Sequence, residues 1–165
     1  NWIGNGMTIP AGPLRENLNN LVNYDHVFLN GNLENIEVLK KKLFKINSKI
    51  NIHLGKYHPL NLSEFKKNKR YLIFSGIGNH KTFVAMLKKY GLNVIKDIEF
   101  PDHYKYSKTD INNILLEANT LNCEIITTEK DELRIKNNDS NKIKSIRSEL
   151  QIIDEDKFLT SILKI

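Results

Sequence analysis

The chain has 165 residues, of which 40% are hydrophobic and 27% are charged, and its formal net charge is +6 at pH 7. This balance is typical of a folded protein and argues against intrinsic disorder. No apolar run reaches the roughly 18 residues of a membrane-spanning helix, and we expect no leader peptide. We therefore expect a cytoplasmic protein with a single domain over residues 1–165.

The excess of positive charge is compatible with nucleic-acid binding, in which clustered Lys and Arg release counterions from phosphates. Here the basic residues are almost all lysines, and they occur in short dispersed groups such as "LKKKLFK" and "EFKKNKR". This dispersion favours compositional drift over a binding surface, so we expect no nucleic-acid partner. A basic nucleic-acid-binding module is kept as an alternative, and its affinity would fall steeply with salt.

The first third of the chain predicts two helices and one clear strand. An amphipathic helix is predicted to begin at Pro13, with apolar residues at helical spacing through Val22. A short apolar run in "DHVFLNGN" precedes a second helix face at residues 36–43. The alternation in "KINIHL", residues 49–54, predicts a half-exposed strand, and a loop that contains His58 and Pro59 follows it.

The strongest structural signal is "RYLIFSGIGNHKTFVAMLKKYG", which predicts a strand, a glycine turn and a helix. Asn79 is a suitable N-cap for this helix, and Gly91 is a suitable residue just after its C-terminus. "LNVIKDIEF" predicts the next strand. Ser107 and Asp110 then predict the capping box of a further helix.

The last third of the chain repeats the alternation. "CEIITT" predicts a buried strand, after which Thr128 and Asp131 cap the next turn, and residues 136–144 predict an exposed loop. "ELQIID" predicts another strand, followed by a helix that Asp154 caps and whose inward face comprises Phe158, Leu159, Ile162 and Leu163. Strands that alternate with helices predict an α/β fold, with a mainly parallel sheet and helices on both faces.

Cysteine and histidine usage gives no sign of a metal or redox centre. The single cysteine, Cys123, lies in an apolar run, which predicts a buried and inert thiol in a reducing compartment. Most of the histidines lack the spacing of metal ligands, so we expect no zinc site among His26, His53, His58 and His80. The sequence also contains no G-x-x-x-x-G-K-[ST] motif, so any phosphate cradle is expected outside this chain.

Three loops that follow predicted strands carry distinctive residues: "SGIGN", "FPDHY" and "TTEKD". Parallel strands end at a shared edge of the sheet, where ligands usually bind. "GIGNHK" lacks the third glycine of a dinucleotide-binding fingerprint, so it predicts a tight turn with a helix cap, or a turn that faces an anion. "TTEKD" is on its own a helix cap, and the roles of Lys130 and Asp131 are left open.

Two pairs of side chains suit phosphoryl-transfer chemistry. His103 can exchange a proton near neutral pH and Asp102 can orient it, although an exposed loop histidine is the simpler interpretation. Arg15 can bind phosphate oxygens and Glu16 can bind a hydrated Mg2+ ion, although a surface ion pair near a helix N-terminus is the alternative. We expect the loops that carry Arg15, Glu16 and His103 to lie along one common rim.

Together, "GNGMTIPAGPLREN", "SGIGNHKTF", "FPDHYKYS" and "TTEKDELRI", in this order and spacing, resemble the C-terminal half of the tetraacyldisaccharide 4'-kinases, the lipid A 4'-kinases of Gram-negative bacteria. The resemblance spans nearly the whole chain. It implies a P-loop-kinase-like C-terminal domain, with the half that carries the P-loop missing here. The implied reaction of the complete enzyme transfers the γ-phosphate of ATP, with Mg2+, to the 4'-hydroxyl of tetraacyldisaccharide 1-phosphate.

The resemblance also implies roles for individual residues. Arg15 and Glu16 match positions beside the nucleotide phosphates, with Glu16 beside the metal. His103 matches the position that partners a catalytic aspartate of the missing N-terminal half as an acid-base dyad, and Asp102 is adjacent. The implied partners are the lipid A precursor disaccharide, the missing N-terminal half and the cytoplasmic leaflet of the inner membrane, to which the complete enzyme would be peripheral.

By itself the chain is expected to have no measurable kinase activity. The phosphate-binding loop supplies ATP affinity and most of the transition-state stabilisation in such enzymes. The alternative is a non-enzymatic remnant, or a subunit that complements a separately encoded N-terminal half. Recovery of activity on mixing the two halves would support the complementing subunit.

Overall fold

The structure is a computed structural model that describes residues 3–31, 35–135 and 141–163. The chain divides into two compact units, one formed by Asn1–Lys56 with Gln151–Ile165 and the other by Tyr57–Leu150. Within the described residues, no helix combines the length and the apolar character needed to cross a bilayer.

The larger unit is built on a four-stranded parallel sheet. Its strands are β3 (Arg70–Ser75), β4 (Asn93–Glu99), β5 (Glu124–Thr128) and β6 (Ile143–Ile146), in the spatial order β4-β3-β5-β6. All three strand pairs are parallel. The connecting helices are α2 (His80–Lys89), α3 (Lys108–Thr120) and the short α4 (Glu129–Glu132).

Strand β3 explains how both faces of this sheet are covered. Successive side chains of a strand point to opposite faces. Tyr71 and Ile73 therefore pack in the cluster that contains α2, whereas Leu72 and Phe74 pack in the cluster that contains α3. All four side chains are fully buried. The α/β fold with a mainly parallel sheet and helices on both faces is confirmed.

The smaller unit contains a 3-10 helix (Leu18–Asn23), strand β1 (His26–Asn30) and helix α1 (Ile36–Ile46). Strand β2 (Asn51–Pro59) is parallel to β1, and β7 (Ser148–Ile153) completes a three-stranded sheet of order β1-β2-β7. Helix α5 (Glu155–Leu163) follows. The chain passes between the two units within β2 and β7.

Several local predictions are confirmed. The Asn79 side chain accepts a hydrogen bond from the Thr82 amide, which makes Asn79 the N-cap of α2. Gly91 follows this helix with φ +86°. The Ser107 and Asp110 side chains form the predicted capping box of α3. These features depend on contacts between residues three or four positions apart, which sequence spacing specifies directly.

The predicted helix from Pro13 is wrong, because helical structure begins only at Leu18 and is of the 3-10 type. Leu14 instead donates its amide hydrogen to Met7 and accepts a hydrogen bond from the amide of Ile9. Its backbone groups are therefore unavailable for a helical ladder. The predicted loop at His58 and Pro59 is also wrong, since β2 extends through both residues.

The C-terminal predictions need three corrections. On α5, Leu159, Ile162 and Leu163 are exposed, because the helix packs through Phe158 on the rings of Phe28 and His53. Cys123 is partly buried beside the α3 cluster. Residues 136–140 of the predicted exposed loop lie outside the described residues, and residues 143–144 of that loop belong to β6.

Candidate functional site

The candidate site of the larger unit lies where β3, β4 and β5 end. The loops after these strands are the three that the sequence singled out, at residues 76–79, 100–106 and 128–132. They meet because their strands are parallel neighbours and therefore end at one edge of the sheet. The expectation that these three loops share an edge is confirmed.

Gly76 is the point at which two of these loops touch. A Cβ atom at this position would lie 3.0 Å from the Tyr104 Cβ and 3.1 Å from both the Pro101 carbonyl oxygen and the Tyr106 hydroxyl. A side chain at this position would therefore require the neighbouring atoms to shift by a few tenths of an ångström. The Gly76 carbonyl oxygen accepts two hydrogen bonds, from the His103 amide at 3.0 Å and from Arg134 Nη1 at 2.9 Å.

His103 projects from this junction into solvent. Its φ of +61° is in the left-handed region, which is uncommon for a residue other than glycine. Its amide donates to Gly76 and also to Asp102 Oδ1 at 3.0 Å, so the backbone is held in this conformation. The His103 side chain is 81% exposed, and its Nε2 lies 3.8 Å from Asp102 Oδ2. The structure thus brings Asp102 and His103 together, and their catalytic role stays a prediction.

The wholly buried Asp131, which Arg134 links to His103, forms the centre of a polar network. Its carboxylate accepts hydrogen bonds from the Thr128 hydroxyl at 2.6 Å and from the Tyr106 hydroxyl at 3.1 Å. Arg134 Nη1 lies 3.1 Å from the same carboxylate. Burial raises the pKa of Tyr106, and the charge of Asp131 raises it further, so the phenol stays protonated and donates.

The predicted cap at Thr128 is confirmed, since its hydroxyl accepts a hydrogen bond from the Asp131 amide at 3.1 Å. Sequence reasoning missed the second role of this motif. Asp131 also binds Tyr106, which is 25 residues away in the sequence, and Arg134, which is three residues away. It missed Arg134 altogether. The available signal was Asp131 itself, an acidic residue on a short helix directly after a buried strand. A buried carboxylate needs a cation or several hydrogen-bond donors, and Arg134 is a cation three residues away.

A cavity of about 490 Å³ adjoins this network. The turn after β3, the start of α2 and the start of α4 line it, and its volume is in the usual range for small-molecule sites. Ile77, Phe83, Met86 and Ile146 give it an apolar lining, whereas Thr128 and Lys130 contribute polar groups. The "TTEKD" motif therefore contributes both to the network around Asp131 and to the wall of a cavity.

A second polar network joins the end of β3 to α2. His80 Nδ1 lies 2.7 Å from the Ser75 hydroxyl, and its Nε2 lies 3.1 Å from Asp97 Oδ2. The residue types are those of a hydrolytic triad, but Ser75 and His80 are buried, with 0% and 1% exposure. A substrate has no access to that hydroxyl, so this network is structural.

Arg15 and Glu16 lie in the smaller unit, in a bend that precedes the 3-10 helix. Both are exposed, and Arg15 takes part in none of the ion pairs of the described residues. Glu16 Oε2 accepts a hydrogen bond from the Tyr24 hydroxyl at 3.1 Å, which raises the pKa of Tyr24. As far as the described residues are concerned, one carboxylate oxygen of Glu16 and the guanidinium of Arg15 are available to a ligand.

The preceding loop is closed by backbone hydrogen bonds and by Asn5. The Asn5 side chain accepts from the Met7 amide at 3.1 Å and donates to the Ala11 carbonyl at 2.8 Å. A Cβ atom at Gly12 would overlap Asn5 Oδ1 and the Met7 carbonyl oxygen. The "GNG" and "PAGPL" segments of the sequence thus form one compact turn structure that leads into Arg15.

The family model described as "LpxK: Tetraacyldisaccharide-1-P 4'-kinase" matches residues 1–165. The chain is 53% identical over 165 residues to the tetraacyldisaccharide 4'-kinase of Pelagibacter ubique (strain HTCC1062), covering 100% of this chain and 52% of that protein. It is 44% identical over 133 residues to that of Rickettsia bellii (strain OSU 85-389), covering 80% of this chain and 40% of that protein. The chain spans about half the length of the curated relatives it matches.

A crystal structure of LpxK from Aquifex aeolicus in complex with ATP matches 97% of this chain and 48% of that chain, with a TM-score of 0.55 and 23% identity. This likeness supports the α/β fold. The family match over the full chain confirms the resemblance indicated by the four motifs. The chain belongs to the tetraacyldisaccharide-1-P 4'-kinase family.

Proposed function

We propose that this chain supplies the C-terminal part of a lipid A 4'-kinase, which transfers the γ-phosphate of ATP to the 4'-hydroxyl of tetraacyldisaccharide 1-phosphate. The observation that carries the proposal is the convergence of three family motifs at one sheet edge, with an exposed histidine anchored there by its backbone. The full family match supports the same reaction. The enzyme would act as a peripheral protein at the cytoplasmic face of the inner membrane.

His103 and Asp102 are assigned to the attacking hydroxyl. Phosphoryl transfer depends mainly on positioning and on charge stabilisation, together with a group that receives the proton of the hydroxyl. The His103 ring is 81% exposed while its backbone is fixed by two hydrogen bonds, so it can reach a substrate without losing its orientation. In the complete enzyme it would partner an aspartate outside this chain, which would receive the proton of the hydroxyl while His103 holds that carboxylate in place.

Arg15 and Glu16 are assigned to the nucleotide phosphates. A guanidinium binds phosphate oxygens through paired hydrogen bonds, and Arg15 is exposed and unpaired among the described residues. Mg2+ in kinases is held by one or two carboxylates together with phosphates and water. Glu16 fits that requirement as a single exposed carboxylate, since only one of its oxygens is bound to Tyr24. When bound, Mg2+ would neutralise charge on the transferring phosphate.

The proposal is tested by His103→Gln in a complete kinase that contains this chain. We expect kcat to fall by about 10²- to 10⁴-fold, because proton transfer by a positioned side chain contributes that much. His58→Gln is the matched control, since His58 is bound to the Tyr90 hydroxyl at 2.7 Å. Transfer of labelled phosphate from ATP to the disaccharide is the measurement. Unchanged kcat in the His103 variant would contradict the proposal.

The 165-residue chain alone gives a second test. We expect no magnesium-dependent hydrolysis of ATP and no transfer to the lipid, because the sequence contains no phosphate-binding loop motif. Addition of a separately produced N-terminal half of a family member would restore turnover if the chain acts as a complementing subunit. Turnover by the chain alone would contradict the assignment of the phosphate cradle to the other half.

A further inference from the structure

The contact between Arg134 and His103 has a consequence for the histidine proton. Arg134 Nη2 lies 3.2 Å from His103 Nδ1. A guanidinium carries five N–H donors, no acceptor, and a charge that it keeps at every physiological pH. Nδ1 must therefore be the acceptor in this contact. A neutral imidazole with an acceptor at Nδ1 carries its proton on Nε2.

Arg134 is itself fixed in place. Its Nη1 donates to the Gly76 carbonyl at 2.9 Å and to Asp131 Oδ1 at 3.1 Å. Asp131 is fully buried and is also held by the hydroxyls of Thr128 and Tyr106. The guanidinium is thus bonded to two other loops in addition to His103. The Arg134 side chain is only 24% exposed.

The other edge of the imidazole is consistent with the same proton position. Asp102 Oδ2 is the carboxylate oxygen next to Nε2, at 3.8 Å, and a carboxylate favours a donor facing it. Among the described residues, the charged groups that contact this ring are Arg134 at Nδ1 and Asp102 at Nε2. Because the ring is 81% exposed, its Nε2–H is also open to a ligand.

We propose that Arg134 is a positioning residue that holds His103 in the Nε2-protonated tautomer, so that the imidazole meets an anionic oxygen as a hydrogen-bond donor. The oxygen would belong to a carboxylate or to a phosphate, since both accept such a bond. The tautomer follows from the contacts alone. Its importance for phosphoryl transfer rests on the proposed function.

The tautomer is tested by NMR on the 165-residue chain with 15N-labelled histidine. Two-bond correlations to the ring protons distinguish a protonated nitrogen from an acceptor nitrogen, and His103→Gln identifies the relevant signals. Above neutral pH, we expect Nε2 to have the protonated shift and Nδ1 the acceptor shift. A wild-type ring protonated on Nδ1 would overturn the proposal.

Variants at Arg134 separate positioning from folding. Arg134→Met removes the donor, and we expect the two nitrogen shifts of His103 to move toward each other as the second tautomer becomes populated. Arg134→Lys keeps a positive charge beside Asp131, but its single ammonium group cannot bond to Asp131 and His103 at the same time. We therefore expect the melting temperature of this variant to stay near that of the wild type, while the nitrogen shifts of His103 move. If Arg134→Met does not fold, Arg134→Met with Asp131→Asn removes the unpaired buried charge.

Arg147→Met is the matched control, because Arg147 forms an exposed ion pair with Glu64 at 3.2 Å. We expect it to leave the His103 ring shifts unchanged. Unchanged shifts in both Arg134 variants would overturn the positioning role.

In the complete kinase, we expect Arg134→Lys to lower kcat by a larger factor than the factor by which it changes the KM for ATP. The two proposals can fail separately. If NMR finds the Nε2-protonated tautomer but the complete kinase keeps its kcat in the His103→Gln variant, the proposed function is refuted and the tautomer assignment remains.

Discussion

Two loops of this protein carry predicted catalytic residues and are held by different means. Residues 3–17 are closed by hydrogen bonds between close neighbours in sequence, such as Gly12 to Thr8 and Leu14 to Met7, and none of these residues is buried. Residues 100–106 are tied to distant parts of the chain, through Tyr106 to Asp131 and through His103 to Gly76.

The aromatic residues show how the second loop is anchored. Tyr106 packs edge-on against the fully buried Phe74, with ring centroids 5.4 Å apart, and Phe100 and Tyr104 extend the cluster. Such pairs add to the burial of apolar surface. The loop near His103 therefore depends on the sheet core, whereas the loop that leads into Arg15 depends on its own turn chemistry. Substitutions in the core and in the turns should affect the two loops differently.

Leu72→Ala is expected to have the largest effect. It empties a fully buried position in the α3 face of the sheet, and such truncations cost about 2–5 kcal/mol. Urea unfolding of the chain measures the free energy of unfolding. Leu116→Ala is the control on α3, where the side chain is 66% exposed, and it should change stability by less than about 0.5 kcal/mol. Equal losses in the two variants would contradict a core packed on Leu72.

Gly12→Ala should disturb the first loop by a smaller amount. The added Cβ overlaps Asn5 Oδ1 and the Met7 carbonyl, and overpacking of this kind costs about 1–3 kcal/mol. We expect the Leu14 amide to exchange with solvent roughly tenfold faster or more, because its bond to Met7 opens. Ala11→Ser adds one atom at the exposed neighbouring residue and should leave this exchange unchanged. A protected Leu14 amide in the Gly12 variant would show that the loop does not depend on this close approach.

The smallest expected effect is a pH dependence from His53. Burial lowers the pKa of His53 below 6.5, and the neighbouring charges of His26 and Lys157 lower it further. In the folded state His53 therefore binds a proton less readily than in the unfolded state. Its contribution to stability is complete above pH 6.5 and is lost as the pH falls below that value.

Unfolding free energies measured at about pH 7.5 and about pH 5.5 test this dependence. The free energy should be lower at the acidic pH, and His53→Gln should reduce the difference between the two values. His58→Gln, which alters a histidine bound to Tyr90, should keep the wild-type difference. If the His53→Gln variant shows the same difference in unfolding free energy between the two pH values as the wild type, the pH dependence belongs to other groups.

Much of the larger unit could be predicted from the sequence because its signals are short-range. The apolar run of β3, the Asn79 cap and the Ser107 capping box are all specified by residues a few positions apart. The same kind of reasoning failed at Pro13, where a helical pattern competes with two backbone hydrogen bonds of Leu14, one donated to Met7 and one accepted from Ile9. Propensity is a weak signal, and specific hydrogen bonds outweigh it there.

The candidate site was predicted only in part. Motif order identified Asp102 and His103, and parallel topology explains why their loop meets the other two. Arg134 was missed because, besides Asp131 three residues away, its partners His103 and Gly76 are 31 and 58 residues away. No spacing rule links residues so far apart, since strand pairing decides which loops become neighbours.

The sequence by itself determined the family, the alternation of strands and helices, and the residue types available for phosphate and proton chemistry. Residue identity and local spacing are sufficient for these features. The tertiary structure alone decided that Asp131 is buried and that Arg134 contacts both Asp131 and His103. A hydrogen bond is directional and acts over about 3 Å. Its partners are therefore known only after the sheet has placed the ends of its strands together.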